Sequence, residues 1–199
     1  MIQRFVLQSQ MPPGGGAGAS TASLVALSRL SGSDLSDIDL AQACLAIEGA
    51  TDPLMLPRPE QLLWSSRQAE ILHHLPALPQ FEVLGGFYGQ RCRTNPKDQN
   101  FADISDLVEE WPVAAKAKNL EAIAKLSTLS AKRNLALRGE PHDPTLQIAN
   151  DINALGVVVA HTGAARGFVF APRSVPPKAR ARLIQAGFSS LVHFKAGGL

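Results

Sequence analysis

Apolar positions along this chain recur with two spacings, and the switches between them lay out its elements. Residues Ile2–Gln8 read as a strand, and the strong helix formers of Ser20–Leu27 open a helix soon after it. Leu40, Ala43, Cys44 and Ile47 fall at i, i+3, i+4 and i+7 in a second helix over Asp37–Glu48. Ser36 with Asp39 resembles a capping box at its start, and Gly49 supplies the stop. The stretch Pro53–Pro79 is rich in proline and is expected to hold one short helix at Glu60–His73.

A strand at Phe81–Phe87 opens the second half. Ile104, Leu107, Val108 and Trp111 share a helical face, and Pro112 is expected to end or kink that helix. A longer helix covers Leu120–Leu137 with Asn119 as its cap, and Asp143-Pro144 starts another that Gly156 closes. Val157–Ala160 and Gly167–Phe170 read as paired strands around a short turn. A helix at Pro177–Ala186 and a strand at Leu191–Phe194 complete the chain. Strand, helices, two strands, helix, strand is the order of a ferredoxin-like split βαβ unit.

The bulk composition narrows the classes. The chain has 199 residues, 45% of them hydrophobic and 18% charged, which is a core-forming balance. A formal net charge of +2 selects no nucleic-acid partner, and the cations Arg173, Lys178, Arg180 and Arg182 read as a solvated face. Arg91, Arg93 and Lys97 read as a solvated loop. Cys44 and Cys92 are too far apart in sequence for a Cys-x-x-Cys pair, and the histidines have no metal-ligand spacing. No signal-peptide pattern or membrane-length apolar run occurs, so a cytoplasmic location without membrane partners is expected.

The most informative segment is Pro12-Pro13-Gly14-Gly15-Gly16-Ala17-Gly18-Ala19-Ser20-Thr21-Ala22, a glycine loop running into a helix start. A helix N-terminus carries unpaired N–H groups and a partial positive charge, and glycines let a backbone approach an anion closely. The combination makes a phosphate cradle, although a flexible linker has similar composition. No Gly-Lys-Ser/Thr follows, so it is not a Walker A loop, and the Rossmann glycine spacing also fails.

The segment resembles the Pro-x-Gly-x-Gly-Leu-Gly-Ser-Ser-Ala-Ala signature of the GHMP small-molecule kinases. That family includes galactokinase, homoserine kinase, mevalonate kinase and the threonine kinase of cobalamin synthesis. Ala17 stands where the family has Leu, and Ala19 replaces the first Ser of its pair. The resemblance implies that Gly14, Gly15, Gly16 and Gly18, with Ser20 and Thr21, hold the phosphates of ATP. It also implies that Ser20 and Glu48 hold Mg²⁺.

Asp52, following Glu48 in Glu48-Gly49-Ala50-Thr51-Asp52-Pro53, resembles the family's substrate-facing acid. The threonine-kinase branch spaces the pair one residue closer, as Glu-Pro-Thr-Asp. Asp52 is therefore the candidate catalytic acceptor of a hydroxyl proton, against the common use of Asp-Pro as a turn. Ala160-His161-Thr162-Gly163-Ala164-Ala165-Arg166-Gly167 resembles the Ala-His-Ser-Gly-Thr-Val-x-Gly segment of the same branch. This implies substrate contacts from His161, Thr162, Gly163 and Gly167, with Arg166 an addition able to touch phosphate. A plain hairpin turn and a packed structural histidine are the alternatives.

The resemblance implies an α+β, GHMP-kinase-like two-lobed fold. An incomplete N-terminal α/β lobe (1–79) would carry the phosphate loop, and a C-terminal ferredoxin-like split βαβ lobe would span 80–199. Family members usually carry a further segment before the glycine loop, which here begins at Pro12. One strand is too small to bury the helix face bearing Leu24, Val25 and Leu27, so either the sequence is part of a longer chain or a homodimer or completing N-terminal partner is expected to cover that face. The implied activity is ATP-dependent phosphorylation of a hydroxyl on a small metabolite, with L-threonine or a related amino acid favoured. The alternative is a catalytically impaired nucleotide- or metabolite-binding remnant.

Overall fold

In a computed structural model, all residues are described except 1–3, 5, 10, 91–94, 96 and 199. The strand expected at Ile2–Gln8 lies partly outside the described residues; Arg4 and residues 6–9, which are described, belong to no strand. Cys92, Arg91 and Arg93 also lie outside them.

Two helices, α1 (Ala19–Leu30) and α2 (Asp37–Glu48), follow the glycine loop. Helix α2 begins as its sequence dictates: the Asp39 amide donates to Ser36 Oγ at 3.2 Å, and Gly49 ends it in a left-handed conformation. Val25 of α1 packs with Leu40, Ala41 and Cys44 of α2, and with Met55, Leu56 and Ala69. Leu30 of α1 and Ile38 and Ile47 of α2 are exposed, as is Leu35 in the connection between them.

The region expected to be helical at Glu60–His73 is instead a hairpin. A single 3-10 turn (Pro59–Gln61) leads into β1 (Leu62–Ser65), which pairs antiparallel with β2 (Glu70–His74). The chain reverses at residues 66–69 with Ala69 at φ 53°, a left-handed backbone that no glycine or asparagine announces. Ala69 is buried against the α1–α2 core, so packing holds what local preference opposes.

The second half is one antiparallel sheet in the order β4-β5-β3-β6. Its strands are β3 (Phe81–Phe87), β4 (Gly156–Val159), β5 (Ala165–Phe170) and β6 (Ser189–Ala196). Helices α3 (Ser105–Lys116), α4 (Leu120–Arg138) and α5 (Thr145–Asp151) connect β3 to β4, and α6 (Ala179–Gln185) connects β5 to β6. With the crossing helices, this strand order is the ferredoxin-like arrangement the sequence pattern implies. Leu84, Ile148, Ile152, Val157, Phe168 and Leu183 form the main core beneath the sheet.

Two boundaries differ from expectation. Helix α3 runs through Pro112 to Lys116 because Ala114 and Ala115 are buried beside Leu107 and Ile123, which offsets one lost backbone bond. Helix α5 ends at Asp151, and Gly156 opens β4, where a Cβ would sit 2.2 Å from the Ala124 carbonyl oxygen of α4. The Asn119 cap of α4 is present: its side chain accepts from the Ala122 amide at 3.0 Å. No helix among the described residues is long and apolar enough to cross a membrane.

Candidate functional site

The glycine loop and the β4–β5 turn are built against each other. Gly14, Gly16 and Gly18 all have φ between 71° and 78°, a conformation that L side chains rarely adopt. Gly15 accepts a hydrogen bond from the Ala165 amide at 2.8 Å, and a Cβ on Gly15 would lie 2.3 Å from the Phe87 ring. A Cβ on Gly163 would meet the Gly15 carbonyl at 2.8 Å. The two glycine segments therefore need their missing side chains to touch. Gly167, by contrast, lies in β5 opposite Gly85 and Val158 rather than in the turn, where it clears Val83 and Val158.

This close fit makes a prediction. Gly16→Ala would force φ +78° on an alanine and bring its Cβ to 2.1 Å from the Thr162 carbonyl oxygen. It should lower stability by about 2–4 kcal/mol in urea unfolding. Gly32→Ala has a similar φ of +70° but open space around it, and should cost only about 1–2 kcal/mol.

Helix α1 starts at the end of this loop with Gly18 as its N-cap and no side-chain cap. The acid pair lies beside that start. Thr21 is buried in the first turn, and its hydroxyl donates to Glu48 Oε2 at 2.8 Å. The Asp52 amide donates to the same hydroxyl oxygen at 3.4 Å. A Cβ on Gly18 would stand 3.0 Å from Asp52 Oδ2. Thr51, between the acids, is buried, and its carbonyl accepts from Trp64 Nε1 at 2.7 Å, so the β1–β2 hairpin fixes the segment. Ser20 is exposed on the first turn.

Asp52 is solvent-accessible, yet the surrounding protein strips part of its hydration and pushes its pKa above the usual carboxylate value; the charge of Glu48 adds to the rise. Glu48 Oε1 is buried with no hydrogen-bond partner. A buried, unpaired carboxylate oxygen next to an oriented one is a donor set that a hard divalent cation fits. No cluster of three or more His, Cys, Asp or Glu residues occurs among the described residues.

The turn is braced from behind by residues that the sequence did not mark as a group. Arg166 is buried, so it does not reach out to a ligand as anticipated. Its guanidinium donates to Asp143 Oδ2 at 3.2 Å and to the carbonyls of Gly163 and Ala165, both at 3.0 Å. Asp143, expected as the N-cap, lies just before Pro144, which is the N-cap of α5, and accepts also from the Thr145 amide. Asn134 of α4 donates to the Ala160 carbonyl at 3.0 Å. His161 rests on Phe101 with ring centres 4.5 Å apart, and Arg67 and Arg138 each lie 5.8 Å from the same ring. Loss of hydration, then the Arg138 charge, lowers the His161 pKa. Arg67 also donates to the Gly49 carbonyl at 3.0 Å, linking this group to the acid pair.

No family model matches the chain, and no curated protein matches it. Solved structures do. A homoserine kinase from Cytophaga hutchinsonii superposes with a TM-score of 0.64 at 16% identity, over 94% of this chain and 67% of that one. A mevalonate kinase from methicillin-resistant Staphylococcus aureus gives 0.60 at 18% identity, over 94% and 69%. A Lactococcus lactis galactokinase complexed with galactose gives 0.57 at 11%, over 94% and 67%. The chain thus has a GHMP-kinase-like α+β fold and spans about two thirds of the length of these proteins.

Proposed function

We propose that this chain transfers the γ-phosphoryl group of ATP to a hydroxyl on a small metabolite. The observation that carries this reading is convergence: the glycine loop, the acid pair and the β4–β5 turn meet at one helix start, although they come from distant parts of the sequence. The open amides of α1 and the glycine backbone suit the nucleotide phosphates. Glu48, held by Thr21, and the neighbouring Ser20 would hold Mg²⁺, which when bound neutralises phosphate charge. Asp52 takes the proton of the acceptor hydroxyl as its oxygen bonds to phosphorus, and ADP departs. A raised pKa suits that role, because a base closer to neutrality transfers protons more readily.

The likeness of His161-Thr162-Gly163 to the threonine-kinase branch makes L-threonine one acceptor to test. Helix α2 and the β1–β2 hairpin bury Val25 and pack on Leu24, so of the expected face only Leu27 stays open; Leu27 and Leu30 of α1, with Ile38 and Ile47 of α2, are the exposed apolar side chains a second copy or partner segment would cover. Measuring ADP release with L-threonine, homoserine, sugars and simple alcohols tests the activity. Folded protein that stays silent with all of them, at saturating Mg²⁺ and ATP, would sink it. Binding of Mg·ATP with no transfer would leave the binding-remnant reading in its place.

Thr21→Val tests the metal assignment. It removes the hydroxyl that orients Glu48 while keeping the side-chain shape. The Mg²⁺ concentration for half-maximal activity should rise about 10–100-fold. Thr21→Ser should restore most of it.

A further inference from the structure

Between the β1–β2 hairpin and helices α3 and α4 lies a cavity of about 400 Å³. Leu63, Trp111 and Val158 represent its walls, which are apolar on three sides. Its polar groups form a stripe at i, i+3 and i+7 on α4, namely Ser127, Ser130 and Asn134, joined by His161 from the β4–β5 turn. Among the described residues, no Lys, Arg, Asp or Glu lines it. Most of the stripe is already committed: Ser127 donates to the Ala124 carbonyl, and the Asn134 amide nitrogen donates to the Ala160 carbonyl. Ser130, the His161 imidazole and the unpaired Asn134 Oδ1 remain to meet an occupant. Arg67 and Arg138 stand by Phe101 and are not part of the lining.

A cavity of this size and chemistry, at the junction of two substructures, is the form that small-molecule sites take. Its position ties it to the reaction. His161 directly precedes Thr162 and Gly163, which pack against Gly16 and Gly15 of the phosphate loop. We infer that this cavity seats the non-reacting body of the acceptor, and that this body is apolar and uncharged. The inference rests on the phosphoryl-transfer reading for the word acceptor, and on the lining alone for the chemistry. A free amino acid would bring an ammonium and a carboxylate with no counter-charge among the described lining residues, the nearby Arg67, Asp98 and Arg138 standing behind His161, and a sugar would bring more hydroxyls than the walls can pair. An alkyl or ring-bearing alcohol fits both limits.

The test uses the full chain without nucleotide, with 1-butanol, 1-hexanol, hexanoate and L-threonine as probes in saturation-transfer NMR. Affinity should rise about fourfold per methylene from 1-butanol to 1-hexanol. Hexanoate should bind at least tenfold more weakly than 1-hexanol, by the expected penalty on a buried charge, a fold-change of roughly that order. Ser130→Phe places a ring in the void and should abolish 1-hexanol binding without lowering the melting temperature. Val158→Trp fills the cavity from the opposite wall and serves if the first variant is unstable. Hexanoate or L-threonine binding as tightly as 1-hexanol, or 1-hexanol binding unchanged in a folded cavity-filling variant, would overturn the inference. Mg·ATP binding is measured in parallel by calorimetry, and ADP release with the same four compounds. Hexanol binding with no Mg·ATP binding would overturn the acceptor role and the kinase reading while leaving the cavity's preference standing. ADP release fastest with L-threonine would overturn the preference and leave the kinase reading intact.

Discussion

Asp52→Asn will lower the rate of ADP formation by about 10²–10⁴-fold, the usual contribution of a positioned proton acceptor. Nucleotide binding should be little changed, because the phosphate cradle is backbone. The wild-type rate should also fall with acid. Under the kinase reading Asp52 must be ionised to accept a proton, and partial loss of hydration together with the Glu48 charge raises its pKa, so the acid limb lies above the usual aspartate range. Stability carries the opposite sign. A carboxyl group whose pKa is raised by folding favours the folded state most when protonated, and that contribution is lost as pH rises through the folded-state pKa. Asp52→Asn should therefore melt higher than the wild type at pH 7, with the gap closing as pH falls toward the ordinary aspartate value. Lost turnover with gained stability marks a residue kept for chemistry. Equal or lower stability at pH 7 would speak for a plain Asp-Pro turn.

Asp143→Ala will produce the largest loss of stability, about 3–5 kcal/mol, because it leaves the Arg166 guanidinium buried without its counter-charge. Both side chains are under 8% exposed, so water cannot replace the lost partner. The effect should reach function as well: Arg166 also holds the carbonyls of Gly163 and Ala165, and Ala165 donates to Gly15 of the phosphate loop. A double variant, Asp143→Leu with Arg166→Met, removes both charges and should recover much of the stability. It should not recover nucleotide affinity, since the two carbonyl contacts stay lost. Urea unfolding and calorimetric ATP titration separate the two outcomes. Full recovery of affinity in the double variant would show that the brace does not set the loop.

These two residues illustrate what was legible in the sequence. Asp52 was readable because it follows a helix stop and a glutamate in a short, motif-like stretch. Asp143 is readable only as a helix start, and it stands one residue ahead of that place, since Pro144 is the N-cap of α5; the ion pair with Arg166 joins residues on two elements whose approach depends on the sheet. Elements with strong local chemistry were recovered, as at Ser36, Asn119 and Gly49, where one side chain or one glycine sets the boundary. The hairpin at Leu62–His74 was not, because Ala69 turns the chain in a left-handed conformation that alanine disfavours and only core packing enforces. Pro112 does not end α3 for a similar reason, since buried alanines beyond it hold the helix together. The cavity is hidden in the sequence because its lining comes from β1, α3, α4 and β4 together with the β4–β5 turn. One signal was present, however: Ser127, Ser130 and Asn134 at helical spacing on a face that also carries Leu126 and Ala131.

Of the two helices that frame the acid pair, α2 is finished by its own Ser36, whereas α1 begins at a left-handed Gly18 with nothing to close it. An anion seated on those first amides would do for α1 what serine does for α2. Part of the energy of binding would then be energy of folding, released when the last open turn of the scaffold is completed. Under the kinase reading, the nucleotide is therefore a removable piece of this protein's secondary structure, and a tighter intrinsic cap on α1 would make the chain sturdier and its grip on phosphate weaker.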